Sequence, residues 1–277
     1  MKKSVGIIGC GWLGYALAKK LLNDKYRVTV TTQNEEKKQK LFKDGIDAEL
    51  LSLPVTETDV MSLSVFNHKN LIISITPQIR HGRNDYPEKV AQIIKMAELG
   101  KVEKVILLSS TAVYNGLTGL VDEQSILDIN ANKVEVITAA EKEARNFSGG
   151  TVILRLAGLV GPERHPGRFL QGNKVLTEPQ AFINLIHQDD VVGVLMELID
   201  EESINGTYNA VSATETSKKD YYAAAASALS LPLPEISLEA SMNFGKRIND
   251  AKLRNELNYQ FTHDDLINWL HKSGGGL

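Results

Sequence analysis

The chain has 277 residues, 43% of them hydrophobic and 23% charged, with a formal net charge of −3. That length buries a full core, in one large domain or two unequal ones, and the charge offers no basic field to recruit nucleic acid or an anionic membrane surface. The single Cys10 excludes an internal disulfide and a cysteine-based zinc cluster, and no metal site is expected.

Met1-Lys2-Lys3 ahead of an apolar run has the charge order of a signal peptide. The run is short, is broken by glycines and is closed by Lys19-Lys20, so a secretory role is not expected. No other stretch reaches the length that spans a bilayer, and a cytoplasmic location is expected. Ser4 to Ile8 instead reads as a short apolar strand. A glycine turn follows, then a helix from about Gly11 to Leu22 with Leu13, Ala16, Leu17 and Leu21 on one face.

Gly9, Gly11 and Gly14 fit G-x-G-x-x-G between that strand and that helix. The first glycine allows the tight turn, the second lets a pyrophosphate approach the backbone, and the third lets helix pack closely on strand. The helix N-terminus adds N–H groups and a positive dipole end. Gly9, Gly11, Trp12, Leu13 and Gly14 are therefore candidate cofactor contacts; a glycine-rich turn that binds nothing has the same pattern.

Arg27 to Thr31 alternates and is rich in β-branched residues, which predicts the second strand. Its end is where a dinucleotide fold meets the adenosine ribose, usually with Asp or Glu. Here the residues are Thr32 and Gln33, then Asn34, so no carboxylate repels a 2′-phosphate, and Lys37 and Lys38 follow. The cofactor expected is NADP or NAD, with NADP favoured, although the two lysines also suit a solvated helix face.

Glu35 to Asp44 reads as a polar helix, Ala48 to Leu51 as a short strand, and Asn70 to Thr76 as a firmer one ended by Pro77. Thr76 is placed with the cofactor. Arg80, His81 and Arg83 fall on the following loop, at the strand end where ligands bind, and either grip an anion or face solvent. A helix beginning near Pro87 runs to about Leu99, and Lys104 to Ser110 is a strongly apolar strand. Strands alternating with helices predict an α/β fold, a Rossmann-type doubly wound parallel sheet.

Four segments in order resemble the extended short-chain dehydrogenase/reductases, the NAD-dependent epimerase/dehydratase branch. They are the glycine turn 9–14, Leu108-Ser109-Ser110-Thr111-Ala112-Val113-Tyr114, Ile153 to Pro162, and Phe182 to Val191 with its Ile186-His187-x-x-Asp190 core. The resemblance implies a Rossmann domain over 1–160, with roughly 180–212 returning to its core, and a smaller C-terminal substrate domain over most of 161–277. It also implies Ser109 beside the cofactor, Ser110 as the catalytic hydroxyl, a small-molecule substrate and a homodimer formed through helices flanking the central strands.

One departure bears on chemistry. The family's Tyr-x-x-x-Lys pair belongs on the helix at about Lys133 to Asn146. Aligning on Ala140-Glu141 puts Lys133 at the tyrosine position and Ile137 at the lysine position. Lys133 is a candidate polar substitute, and Tyr114 a candidate proton donor or a packing residue. The expected function is thus an NAD(P)-dependent epimerase/dehydratase- or reductase-like protein acting on a small polar carbonyl or hydroxyl compound, with a nucleotide-linked sugar among the options. The alternative is an NAD(P)-binding sensor or interaction protein with weak or lost turnover.

Gly161 to Lys174 is turn-rich, and Arg164, His165 and Arg168 in it are candidate anion contacts or solvent-facing. Asp190 to Ile199 reads as a helix with Asp190 as its N-cap, and His187 as ordering the turn before it. Gly206 to Val211 reads as a strand, Lys218 to Leu229 as a helix capped by Thr216-Ser217, and Leu266 to Leu270 as a packing helix with Trp269 as a core or dimer anchor. The tail 273–277 is expected to be disordered.

Overall fold

The computed structural model of the protein describes residues 3–54, 63–79, 82–172 and 174–273. The chain opens with β1 (Ser4–Ile8), α1 (Trp12–Asn23), β2 (Arg27–Thr32), α2 (Glu35–Lys43), β3 (Asp47–Leu50) and β4 (Asn70–Ile73). Next come α3 (Tyr86–Leu99), β5 (Lys104–Ser110), β6 (Gly119–Val121), α4 (Asn132–Ala144), β7 (Gly150–Leu156) and β8 (Gly158–Val160). The remainder holds β9 (Val175–Leu176), β10 (Leu185–His187), α5 (Gln188–Asp200), β11 (Gly206–Ala210), α6 (Lys218–Ala228), β12 (Glu235–Ile236), β13 (Lys246–Ile248), α7 (Ala251–Glu256) and α8 (Leu266–Ser273).

Seven strands form one sheet in the order β11-β7-β5-β4-β1-β2-β3. β1 pairs in parallel with both β2 and β4, β2 with β3, and β4 with β5. This is the doubly wound sheet that the strand–helix alternation predicts. Its order reverses between β1 and β4, and such a reversal opens a crevice at the carboxyl ends of the two strands. β1 and β4 are buried along their whole length, as strands covered on both faces must be. Val90, Ile93 and Ala97 of α3 and Val136, Ala140 and Ala144 of α4 pack with Ile8, Leu71, Ile73, Val105 and Leu107 of the strands. Burying each Leu, Ile or Val side chain there contributes about 1.5–3 kcal/mol.

The chain divides into two compact units. The first comprises Met1–Val113, Ile129–Arg155 and Leu195–Tyr208; the second comprises Tyr114–Asp128, Leu156–Val194 and Asn209–Leu277. The division differs from a cut near residue 160, because 114–128 group with the later residues and only 195–208 of the returning segment group with the first unit. The second unit carries three small parallel pairs, β8 with β10, β9 with β12 and β6 with β13. Its apolar centre is Val160, Ile183, Leu185, Tyr221, Ala225, Leu266 and Leu270, with Trp269 packed against it. The helix of Leu266 runs to Ser273, and residues 274–277 lie outside the described ones. No described helix is long and apolar enough to cross a membrane.

Candidate functional site

Between β1 and α1 the three glycines differ in what surrounds them. Gly9 has φ +94°, a region that favours glycine, and a Cβ there would also press on the Ser74 backbone just after β4. A Cβ on Gly14 would come within 2.6 Å of the Gly9 carbonyl oxygen. A Cβ on Gly11 would meet nothing within 4 Å. The first and third glycines therefore close the turn onto strand and helix, and the second faces open space. The turn is held by the Gly9 N–H donating to Thr31 Oγ1 (2.9 Å) and the Cys10 N–H donating to the Thr31 carbonyl (2.8 Å).

Gly11 is the N-cap of α1, and no side chain caps the helix there. No acidic residue stands in its first turn. Such an end offers amide N–H groups and a positive dipole to an anion. Leu13 is buried and supplies only backbone to the turn, whereas Trp12 is half-buried. Cys10 is buried, and burial pushes its thiol up to about 11, partly offset by the Lys37 ammonium. It remains a protonated, unreactive filler of the turn.

At the end of β2, Thr32 is buried and its Oγ1 accepts from the Asn34 N–H at 3.5 Å, while Gln33 is exposed. Asn34 caps α2, its Oδ1 accepting from the Lys37 N–H at 2.9 Å. Lys37 is exposed on the first turn of α2, on the side that acts on Cys10. Thr76 is exposed on the loop after β4. Arg80 and His81 lie outside the described residues. Arg83 is paired, with Asp85 at 2.8 Å and Gln78 at 3.4 Å, and the Arg83 and Lys89 cations together hold the Asp85 carboxyl down to about 2.

The strand-end serines part company. The Ser109 hydroxyl donates to Glu141 Oε1 at 2.6 Å, inside the core. Glu141 also accepts from Arg155 Nε (3.0 Å) and Nη2 (2.8 Å), and from Arg145 Nη2 (3.3 Å). The side chain of Ser109 is thus committed to a buried ion pair, which leaves only its backbone to border a cofactor. Ser110 is half-buried, and its Oγ accepts from the Ala112 N–H at 3.1 Å.

Tyr114 is fully buried and its hydroxyl donates to Asn209 Oδ1 at 2.8 Å. Burial makes it a packing residue and removes it as a proton donor to substrate. Lys133 is half-buried at the start of α4, and Ile137 one turn on is buried. In the second unit, the main-chain N–H of Arg164 donates to the Gly161 carbonyl, His165 Nδ1 accepts from the Gly167 N–H, and Arg168 is exposed.

Two polar centres escaped the sequence reading. Arg155 in the apolar run Ile153-Leu154-Arg155-Leu156 was the available signal for the first, since a charge inside a buried strand demands a buried partner. The second is Asp190, which is not an N-cap. The helix α5 begins two residues earlier, at Gln188. Fully buried, Asp190 accepts from Tyr259 Oη (3.0 Å), the Thr262 N–H (2.5 Å) and the His263 N–H (2.9 Å). Burial raises its pKa in spite of those three donors. Nothing local in the sequence announces partners about seventy residues away.

A family model described as NAD(P)H-binding matches residues 9–202, from the first glycine of the turn to just past α5. Protein YeeZ of Escherichia coli K12 is 31% identical over 267 residues, covering 95% of this chain and 97% of that protein. Among solved structures, a UDP-glucose 4-epimerase with UDP-glucose from Thermotoga maritima superimposes with a TM-score of 0.79 at 15% identity, covering 98% of this chain and 97% of that one. A UDP-glucuronic acid 4-epimerase from Bacillus cereus in complex with NAD gives 0.73 at 14% identity, covering 98% and 100%. At those identities the structures speak for the fold, while the family model and the Escherichia coli relative speak for descent. The chain belongs to the NAD(P)H-binding family, and its fold is that of the extended short-chain dehydrogenase/reductases, the NAD-dependent epimerase/dehydratase branch.

Proposed function

We propose that this protein is an NAD(P)-dependent reductase- or epimerase-like enzyme that favours NADP and acts on a small polar carbonyl or hydroxyl compound. The observation that carries the reading is the contrast among the three glycines of the turn, of which only Gly11 has open space above it. The uncapped end of α1 suits a diphosphate over Gly11, and Thr32, Gln33 and Lys37 suit an adenosine ribose bearing a 2′-phosphate, since none is an acid. Thr76 would border the cofactor on the β4 side. When bound, the nicotinamide supplies a hydride donor or acceptor.

The chain's own part in chemistry rests on Ser110. The Ala112 amide occupies one lone pair of its oxygen and so orients the hydroxyl, whose proton is left to donate to a substrate oxygen. Such a donor, aimed where charge develops, is worth about 10²–10³ in rate. Lys133 is the polar group offered by α4 in place of the family's tyrosine. A nucleotide-linked sugar is a candidate substrate because the fold relatives from Thermotoga maritima and Bacillus cereus are sugar-nucleotide epimerases by name. A cytoplasmic location and a homodimer go with this reading.

A second reading, a cofactor-binding protein without turnover, is favoured by one observation: buried Ile137 and sealed Tyr114 leave the family's proton-transfer pair unreplaced in kind. Oxidation of NADPH and of NADH, followed with a panel of carbonyl compounds and nucleotide sugars, separates the two. The enzyme reading predicts turnover that Ser110→Ala lowers by about a hundredfold in kcat. Cofactor binding with no turnover across the panel supports the second reading, and turnover that survives Ser110→Ala rejects the assignment of that hydroxyl.

A further inference from the structure

His187, Asp189 and His263 come together in the second unit, where β10 passes into α5 and the segment before α8 folds back on it. His187 Nδ1 lies 3.5 Å from Asp189 Oδ2, and His263 Nε2 lies 3.1 Å from the same oxygen. One donor atom from each of the three residues falls within 4.8 Å of the others. The two imidazole rings stand 3.9 Å apart between centroids, and Trp269 closes one side at 4.9 Å from His187. Asp190, next in the chain, already fixes this approach by accepting from the Thr262 and His263 amides. The geometry is therefore held by a buried group that is not itself one of the three.

We propose that these three side chains form a binding site for a divalent first-row transition ion of the zinc class. Two imidazoles and one carboxylate are the donor set such ions favour over magnesium or calcium, which take oxygen ligands. Zinc bonds of 2.0–2.1 Å place tetrahedral ligand atoms roughly 3.3 Å apart; the two separations to Asp189 Oδ2, 3.5 and 3.1 Å, bracket that value, and the two imidazole nitrogens lie within 4.8 Å of each other.

The solvent side is open, since the Asp189 side chain is 60% exposed and that of His263 23%. Water can complete the coordination. His187 is buried, and its Nε2 has no hydrogen-bond partner among the described residues. The imidazole is thus anchored through Nδ1 alone, at present by the Asp189 N–H at 3.1 Å. That amide belongs to the first turn of α5, where it has no intrahelical partner to keep it and passes to water when an ion takes Nδ1.

The site is independent of the cofactor reading, so the two stand or fall separately. The full chain without an affinity tag, stripped of metal, is dialysed to equilibrium against Zn²⁺ and then titrated with Co²⁺ as a spectroscopic probe. The proposal predicts one zinc ion per chain, a Co²⁺ spectrum with the intense visible bands of low-coordinate cobalt, and a higher Tm with Zn²⁺ than without it. His263→Ala and Asp189→Asn should each weaken binding by at least about tenfold, a loss at the scale of altered metal shells. His271→Ala, which removes an exposed histidine outside the cluster, should bind as the wild type does. No zinc retained by the wild type, zinc bound equally by His263→Ala and Asp189→Asn, or octahedral cobalt without imidazole character would each overturn it.

Discussion

His68 shows how one side chain couples this fold to pH. It is 2% exposed, its Nε2 sits 2.9 Å from Thr29 Oγ1, and Nδ1 has no partner among the described residues. Thr29 Oγ1 donates in turn to Asp47 Oδ2, so it receives from His68, whose Nε2 carries the proton. Burial, with Arg27 nearby, brings the imidazole down to about 4. In the unfolded chain the same group titrates near 6.5. Above that value neither state binds the proton. As pH falls from about 6.5 toward 4 the unfolded chain takes up a proton that the folded one refuses, so stability is lost across that window. The loss amounts to about 3 kcal/mol when the folded pKa is reached. Urea unfolding at about pH 7 and about pH 5 should show a lower midpoint at the acid value, and His68→Gln should flatten that difference; an unchanged slope in the variant would place the acid sensitivity elsewhere.

Glu141 belongs to the scale of elements, because it ties three of them. It sits on α4 and receives Ser109 from the end of β5 and the Arg155 guanidinium from the end of β7. Both charged groups are buried, so removing one strands the other. Glu141→Ala should cost about 3–5 kcal/mol, whereas Arg145→Ala, which removes only the half-exposed arm, should cost about 1 kcal/mol or less. Comparable losses in the two variants, read from denaturant midpoints, would show that the buried pair is not what joins these elements.

The same elements show what the sequence could disclose. The strand Lys104 to Ser110 and the helix of Lys218, capped by Ser217 accepting from the Asp220 N–H, follow from local patterns: an apolar run in one case, a hydroxyl before a helix in the other. Asp190 resembled an N-cap for the same reason, being an acid next to a helix. Its true partners, Tyr259, Thr262 and His263, arrive through tertiary folding, and no periodicity encodes them. The burial of Tyr114 beneath Asn209 was equally out of reach, since a tyrosine after a strand looks alike whether it faces substrate or core.

For the whole molecule, the proposed function turns on one corner of the first unit, where β1 gives way to α1 at the reversal of strand order. Sequence spacing named the three glycines, and the fold separates their roles. Gly14 is hemmed in by the Gly9 carbonyl, while Gly11, with φ −79° and nothing above it, accepts a methyl group without strain. Gly11→Ala is therefore the cleanest probe of what approaches that backbone. We expect its unfolding midpoint to stay within about 0.5 kcal/mol of wild type. Titration of NADPH into the wild type and into Gly11→Ala, followed by nicotinamide fluorescence, tests the account most directly. Saturable binding to the wild type, weakened at least about tenfold (~1.4 kcal/mol) in the folded variant, is the predicted result. Equal binding to both proteins, or none to the wild type with NADPH or NADH, would contradict a diphosphate resting on Gly11.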